Sequence, residues 1–172
     1  DAAGNSTAVW QGLTPANPAV RSVFASRSIG GRAWSAPVEI DASTTENAVA
    51  PQLGIDQASG RIIALWNSDS GLWARVFAPE TGWGAATLVE RKPVFQGAAL
   101  RNYRVGVDGV GEAVAIWERN NELNTFSIWS SRYTLGNGWA AAVLVEDNDA
   151  FPFAQDVLPQ LAVFGSGNAV AV

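Results

Sequence analysis

The sequence contains no cysteine, no histidine and no methionine. Without cysteine or histidine there is no zinc-type ligand set, no thiol nucleophile and no Ser-His-Asp triad. Charge is also sparse, at 16% of residues with a net charge of −5. No run of Lys and Arg exists to form an electrostatic footprint on nucleic acid, so no nucleic-acid partner is expected. No stretch of 18 apolar residues occurs, which excludes a membrane-spanning helix of that kind. The chain opens on Asp1 rather than Met and shows no signal-peptide pattern, so a processed chain, a fragment or the ordered part of something longer is expected. Disorder is not expected, because 48% of the residues are hydrophobic.

What the chain does have is repetition. The segment NYRVGVDGVGEAVAIWER (102–119) recurs as PQLGIDQASGRIIALW (51–66) and, shortened, as PQLAVFGSGNAVAV (159–172). Its second half also opens the chain as DAAGNSTAVW (1–10). The turn glycines Gly4, Gly60, Gly111 and Gly167 stand 56, 51 and 56 residues apart, and Trp10, Trp66 and Trp117 stand 56 and 51 apart. A second landmark, Trp after a Gly-containing turn, gives Trp34, Trp83 and Trp139. A third, Arg in an apolar strand, gives Arg27, Arg75 and Arg132.

Within one period apolar residues alternate every second position, the periodicity of strands. The predicted strands fall at 7–11, 21–29, 36–41 and 51–56, then 62–67, 72–78, 85–90 and 103–108, then 112–119, 126–134, 142–146 and 159–164. No segment carries a sustained helical period with caps, so almost no helix is expected. Four antiparallel strands repeated at about 50 residues predict an all-β fold, a β-propeller of four-stranded blades with about three blades in this chain. The whole of 1–172 reads as one propeller region, with repeats near 1–56, 57–108 and 109–164 and the start of another at 165–172.

The PQLGIDQASGRIIALW unit, followed by a strand such as SIWSSRY (127–133), a GNGW turn (136–139) and the short AAVLVE strand (141–146), resembles a repeat of exported bacterial proteins. Those repeats are similar to sialidase-like and lectin-type β-propellers, and the resemblance covers nearly the whole chain. It implies a secreted or cell-surface bacterial protein. The turns are also similar to the Asp-boxes of sialidases, although the S-x-D-x-G-x-x-W order is not present. In propellers with this kind of turn the strand before Asp-x-x-Gly is innermost. The chain would then begin with a blade lacking its inner strand and end with one lacking its outer two. Closure of the ring by a longer chain or by self-association is therefore expected.

In such a meander the Gly turns share one face, while the more variable loops share the other, where function normally sits. Candidate ligand-binding residues follow. Trp73 with Arg75 and Trp129 with Arg132 pair a stacking ring with a hydrogen-bond donor, suited to a saccharide. Asp69, Glu118, Arg119 and Asn121 add polar atoms on the variable-loop face. Trp10, Trp66 and Trp117 are read as packing between blades, and the repeated arginines as blade-to-blade salt bridges. Asp56 and Asp108 are read as Asx-type turn acceptors.

A sialidase-like site would use a Tyr nucleophile with a Glu partner and an Asp acid. Only Tyr103 and Tyr133 exist, and neither lies near a convincing carboxylate pair. The oxygen-rich stretches 67–70 and 147–149 are read as solvated loops rather than Ca²⁺ sites. No metal or cofactor is expected. The resulting expectation is a non-enzymatic module that binds glycans. The alternatives are an assembly protein whose blades contact other proteins and a partial sialidase-like hydrolase.

Overall fold

The computed structural model describes residues 1–14, 17–41, 43, 45–146, 158–165 and 167–172. The described residues are all β and irregular structure, with no helix. Strands β1 (Ser6–Thr14), β2 (Asn17–Ser28) and β3 (Val38–Glu39) form the first sheet in chain order. Strands β4 (Ala48–Ile55), β5 (Ile62–Ser68), β6 (Gly71–Ala78) and β7 (Gly82–Arg91) form the second, again as a meander. The third contains β8 (Leu100–Val107), β9 (Ala113–Asn120), β10 (Phe126–Thr134) and β11 (Gly138–Trp139), with β12 (Val143–Leu144) also paired to β10. Strands β13 (Leu161–Phe164) and β14 (Asn168–Ala171) make a two-stranded fourth.

All strand pairs are antiparallel, and one register repeats. Trp10 pairs with Phe24, Trp66 with Trp73 and Trp117 with Trp129. The turn glycines Gly4, Gly60, Gly111 and Gly167 have φ of 76°, 71°, 82° and 78°, a region where a Cβ is costly. Asp108 Oδ1 accepts the N–H groups of Val110 and Glu112, and Asp56 Oδ1 accepts that of Ala58, as an Asx-turn requires. Asp1 does the same for Ala3 and Asn5.

Three local differences from the sequence pattern have physical causes. Strands β1 and β2 run on into 11–14 and 17–20, where a loop was expected. Strand β3 shrinks to two residues: Pro37, just before it, has no N–H to donate, and just after it the Asp41 side chain rather than the backbone takes the Val23 N–H. The arginine landmark also fails. From the aromatic on each second strand, Arg27 and Arg132 lie three residues on, but Arg75 lies two on, which turns it to the opposite face. Arg75 Nε instead donates to the Gly84 carbonyl, the task that the Ser26 and Ser131 hydroxyls perform toward Ser35 and Ala140.

The core lies between successive sheets. Trp66 packs against Val23, Ala25 and Ile40 of the first sheet, and Trp117 against Leu65, Leu72 and Ala74 of the second. Gly54 lets β4 approach β8: an added Cβ would sit 3.0 Å from the Val105 carbonyl oxygen. The repeated arginines reach neighbouring sheets through backbone oxygens and a ring rather than through carboxylates. Arg75 Nη1 donates to the Ile40 carbonyl and Arg132 Nη1 to that of Gly167, while the Arg27 guanidinium stands 3.9 Å over the Phe77 ring.

Candidate functional site

After β3 the backbone N–H of Ile40 bonds the Val23 carbonyl, and Asp41 Oδ1 accepts the Val23 N–H at 2.9 Å. Asp41 is thereby drawn inward to 2% exposure, and its other oxygen, Oδ2, is buried without a hydrogen-bond partner. Burial pushes the Asp41 carboxyl above its ordinary pKa, against opposing bonds from the Val23 N–H, its own backbone N–H and the Ser22 hydroxyl, with the negative charge of Glu39 adding to the rise.

The next residues turn back on themselves. Ser43 Oγ accepts the N–H of Glu46 at 3.0 Å, and Asp69 Oδ2 accepts that of Asn47 at 3.1 Å. This swings Glu46 onto the turn after β5, where its Oε2 accepts the Ser68 and Ser70 hydroxyls at 2.5 and 2.7 Å. Those hydroxyls, Ser68 first, hold the Glu46 carboxyl below its ordinary value. Ser70 Oγ also accepts the indole N–H of Trp73 at 3.0 Å, which fixes that ring.

Between these groups lies a cavity of about 220 Å³. Trp66, Trp73, Ala48 and Ala86 give it apolar walls, and Asp41, Ser43, Glu46 and Ser68 supply its oxygens. An aromatic wall facing convergent carboxylates is equipped to stack on the C–H face of a ring and to accept hydroxyl or ammonium donors. Two carboxyl groups with pKa values shifted in opposite directions are also the arrangement on which acid–base chemistry draws.

Of the candidate ligand-binding residues named from the sequence, only Trp73 lines this cavity, which also takes in Trp66, read there as a packing residue. Asp69 ties down the adjoining loop and edges a broader hollow of about 650 Å³ that also includes Arg91 and Lys92. Arg75 is occupied by the Gly84 and Ile40 carbonyls. Trp129 and Arg119 meet at the next junction, with the guanidinium 3.3 Å over the ring and 2.8 Å from Glu90 Oε1. Glu118 is fully buried, bonded by Arg101, Asn102 and the Leu158 N–H. Asn121 Oδ1 accepts the N–H groups of its own turn at Leu123 and Thr125.

Arg132 faces the fourth sheet. The 147–149 stretch lies outside the described residues. Asp41, Ser43 and Glu46 went unread as site residues because each depends on a contact outside its own strand. The Tyr103 phenol is bound to the Val49 and Ala50 carbonyls and the Asn67 N–H, and burial pushes its pKa to about 12, which makes it a structural tie.

No protein-family model and no curated protein matches the chain. Solved structures do. A Hadza microbial sialidase superposes with a TM-score of 0.53 at 12% identity, covering 81% of this chain and 36% of that one. A polysaccharide lyase of family PL25, an ulvan lyase bound to -[GlcA(1-4)Rha3S]-, gives 0.53 at 16% identity, covering 86% of this chain and 42% of that one. An α-L-arabinofuranosidase from Podospora anserina aligns at 9% identity with a TM-score of 0.43, covering 95% of this chain and 74% of that one. The chain thus spans about two fifths of the sialidase and the lyase, and at these identities the likeness is one of fold. It corrects the expectation of a non-enzymatic module, because the sialidase and the lyase are both enzymes that act on carbohydrates.

Proposed function

We propose that the chain contributes about three blades of a β-propeller to a carbohydrate-active protein, secreted or displayed at a cell surface, and that the cleft between its first two sheets receives a sugar residue. Further blades, from a longer chain or a second copy, would complete the ring. The blade reading draws support from the four-stranded meanders and from the glycine contact that brings β4 against β8.

The observation that carries the sugar reading is one cavity in which Trp73 and Trp66 stand with Asp41 and Glu46. Its volume of about 220 Å³ lies below the range of roughly 300–1,000 Å³ usual for small-molecule sites, which suits a single ring better than an extended chain. The test is a titration with defined oligosaccharides read by tryptophan fluorescence. A saturable change is expected, weakened about tenfold or more in Trp73→Ala, since removing an aromatic anchor costs upward of about 1 kcal/mol. Silence from the folded protein across neutral, acidic and amino-sugar oligosaccharides would sink the reading.

A further inference from the structure

The junction between the second and third sheets is built on the same register as the first, and it shows what the first one is missing. Trp73 and Trp129 are equivalent, each paired with the buried tryptophan of the adjacent strand. Ala48 pairs with Ser68 where Leu100 pairs with Arg119, so Leu100 stands for Ala48 and Arg119 for Ser68. Glu90 occupies the place of Asp41: Leu88 lies opposite Trp73 as Glu39 lies opposite Phe24, and each acid follows two residues later.

At the second junction the Arg119 guanidinium lies 3.3 Å from the Trp129 ring centre, and its Nη1 lies 2.8 Å from Glu90 Oε1. A cation thus sits between an aromatic face and a carboxylate. At the first junction the acid and the ring are retained, but none of the described residues supplies a cation there. Ser68 is too short to reach, Ala48 leaves the remaining volume open, and the result is the cavity of about 220 Å³. None of its described lining residues is Lys or Arg, and Arg75 nearby is already occupied by two carbonyls. Asp41 lines the cavity with no Lys or Arg among the described lining residues to neutralise it.

We propose that the sugar received here carries a protonated amine, a hexosamine unit whose ammonium takes the place that Arg119 fills at the second junction. The amine stands beside the Trp73 ring within the field of the Asp41 carboxylate that lines the cavity, and Glu46 accepts from a neighbouring hydroxyl. This rests on the sugar-cleft reading and narrows it to a substrate class. Acidic saccharides are rejected, because two carboxylates would meet a third with no cation between them.

The experiment compares a glucosamine trimer with its fully N-acetylated form, cellotriose and a glucuronate oligosaccharide, by calorimetry at pH 6. The glucosamine trimer is expected to bind at least about tenfold more tightly than any of the others. That preference is expected to vanish in Asp41→Asn, which retains the oxygen that bonds Val23 N–H. It should also vanish in Ser68→Arg, which places in the cleft the guanidinium found at the second junction. Melting curves confirm that both variants fold.

Equal binding of cellotriose or the acetylated trimer would overturn the charge preference while leaving the sugar cleft standing. Tight glucosamine binding unchanged in both variants would also overturn it, by placing the ligand elsewhere. Binding of none of the four saccharides would remove the sugar cleft and this inference together.

Discussion

At Asp41 the two oxygens of one carboxylate have different fates: Oδ1 holds the Val23 N–H, while Oδ2 is buried without a partner. Burial raises the folded-state pKa, so between the unfolded value and that higher one the folded state binds the extra proton. Stability contributed by this group is therefore present at acid pH and lost as pH rises through the folded pKa. Asp41→Asn keeps the Oδ1 contact and carries no charge. It is expected to melt at a higher temperature than the parent at pH 7, and the two curves should converge near pH 4. A mutant that melts lower at pH 7 would show that Oδ2 has a partner in solution. Glu46 behaves oppositely: its lowered pKa stabilises above the unfolded value, and that contribution disappears as pH falls through the folded one.

At the scale of the element, strand and turn obey different rules. Gly111 closes its turn at φ 82°, and an alanine there is expected to cost about 1–2 kcal/mol in urea denaturation, with an unchanged m-value. An unaffected midpoint would mean that the turn can be rebuilt without the left-handed residue.

Turns of this kind were legible in the sequence because their determinants are local: an Asp, a Gly and a spacing. Strand order was legible for the same reason, since each sheet is a meander of neighbours. The facing of Arg75 was not, because a one-residue offset changes no composition and only the pairing of Trp66 with Trp73 exposes it. The left-handed residues Ala50 and Asn102 sit at the register irregularities of β4 and β8, and Leu158 precedes β13, with three different side chains, so no residue-type signal marked them. The cleft stayed hidden for a related reason. Its acids come from the loop after β3, and what distinguishes it is the smallness of Ala48 and Ser68 where the next repeat has Leu100 and Arg119.

Over the whole molecule, the second and third sheets each present a tryptophan to the sheet before them. Trp66 and Trp117 are 2% and 0% exposed, buried against the first and second sheets, whereas Trp10 on the first sheet is 38% exposed and stacks only with Phe24 of its own sheet. The same residue in the same register therefore has three different surroundings, and the difference is set by sheet stacking alone. If successive burial holds the sheets together, Trp117→Ala is expected to cost about 3–5 kcal/mol, with Trp66→Ala close behind. Trp10→Ala should cost clearly less than either, since more than a third of its surface already faces solvent. Denaturant midpoints of the three variants supply the comparison. Equal losses at Trp10 and Trp117 would mean that Trp10 is covered in solution, by a further sheet of a longer chain or by a second copy. Light scattering on Trp10→Asp would then separate those cases, because only the second copy leaves when the ring is charged.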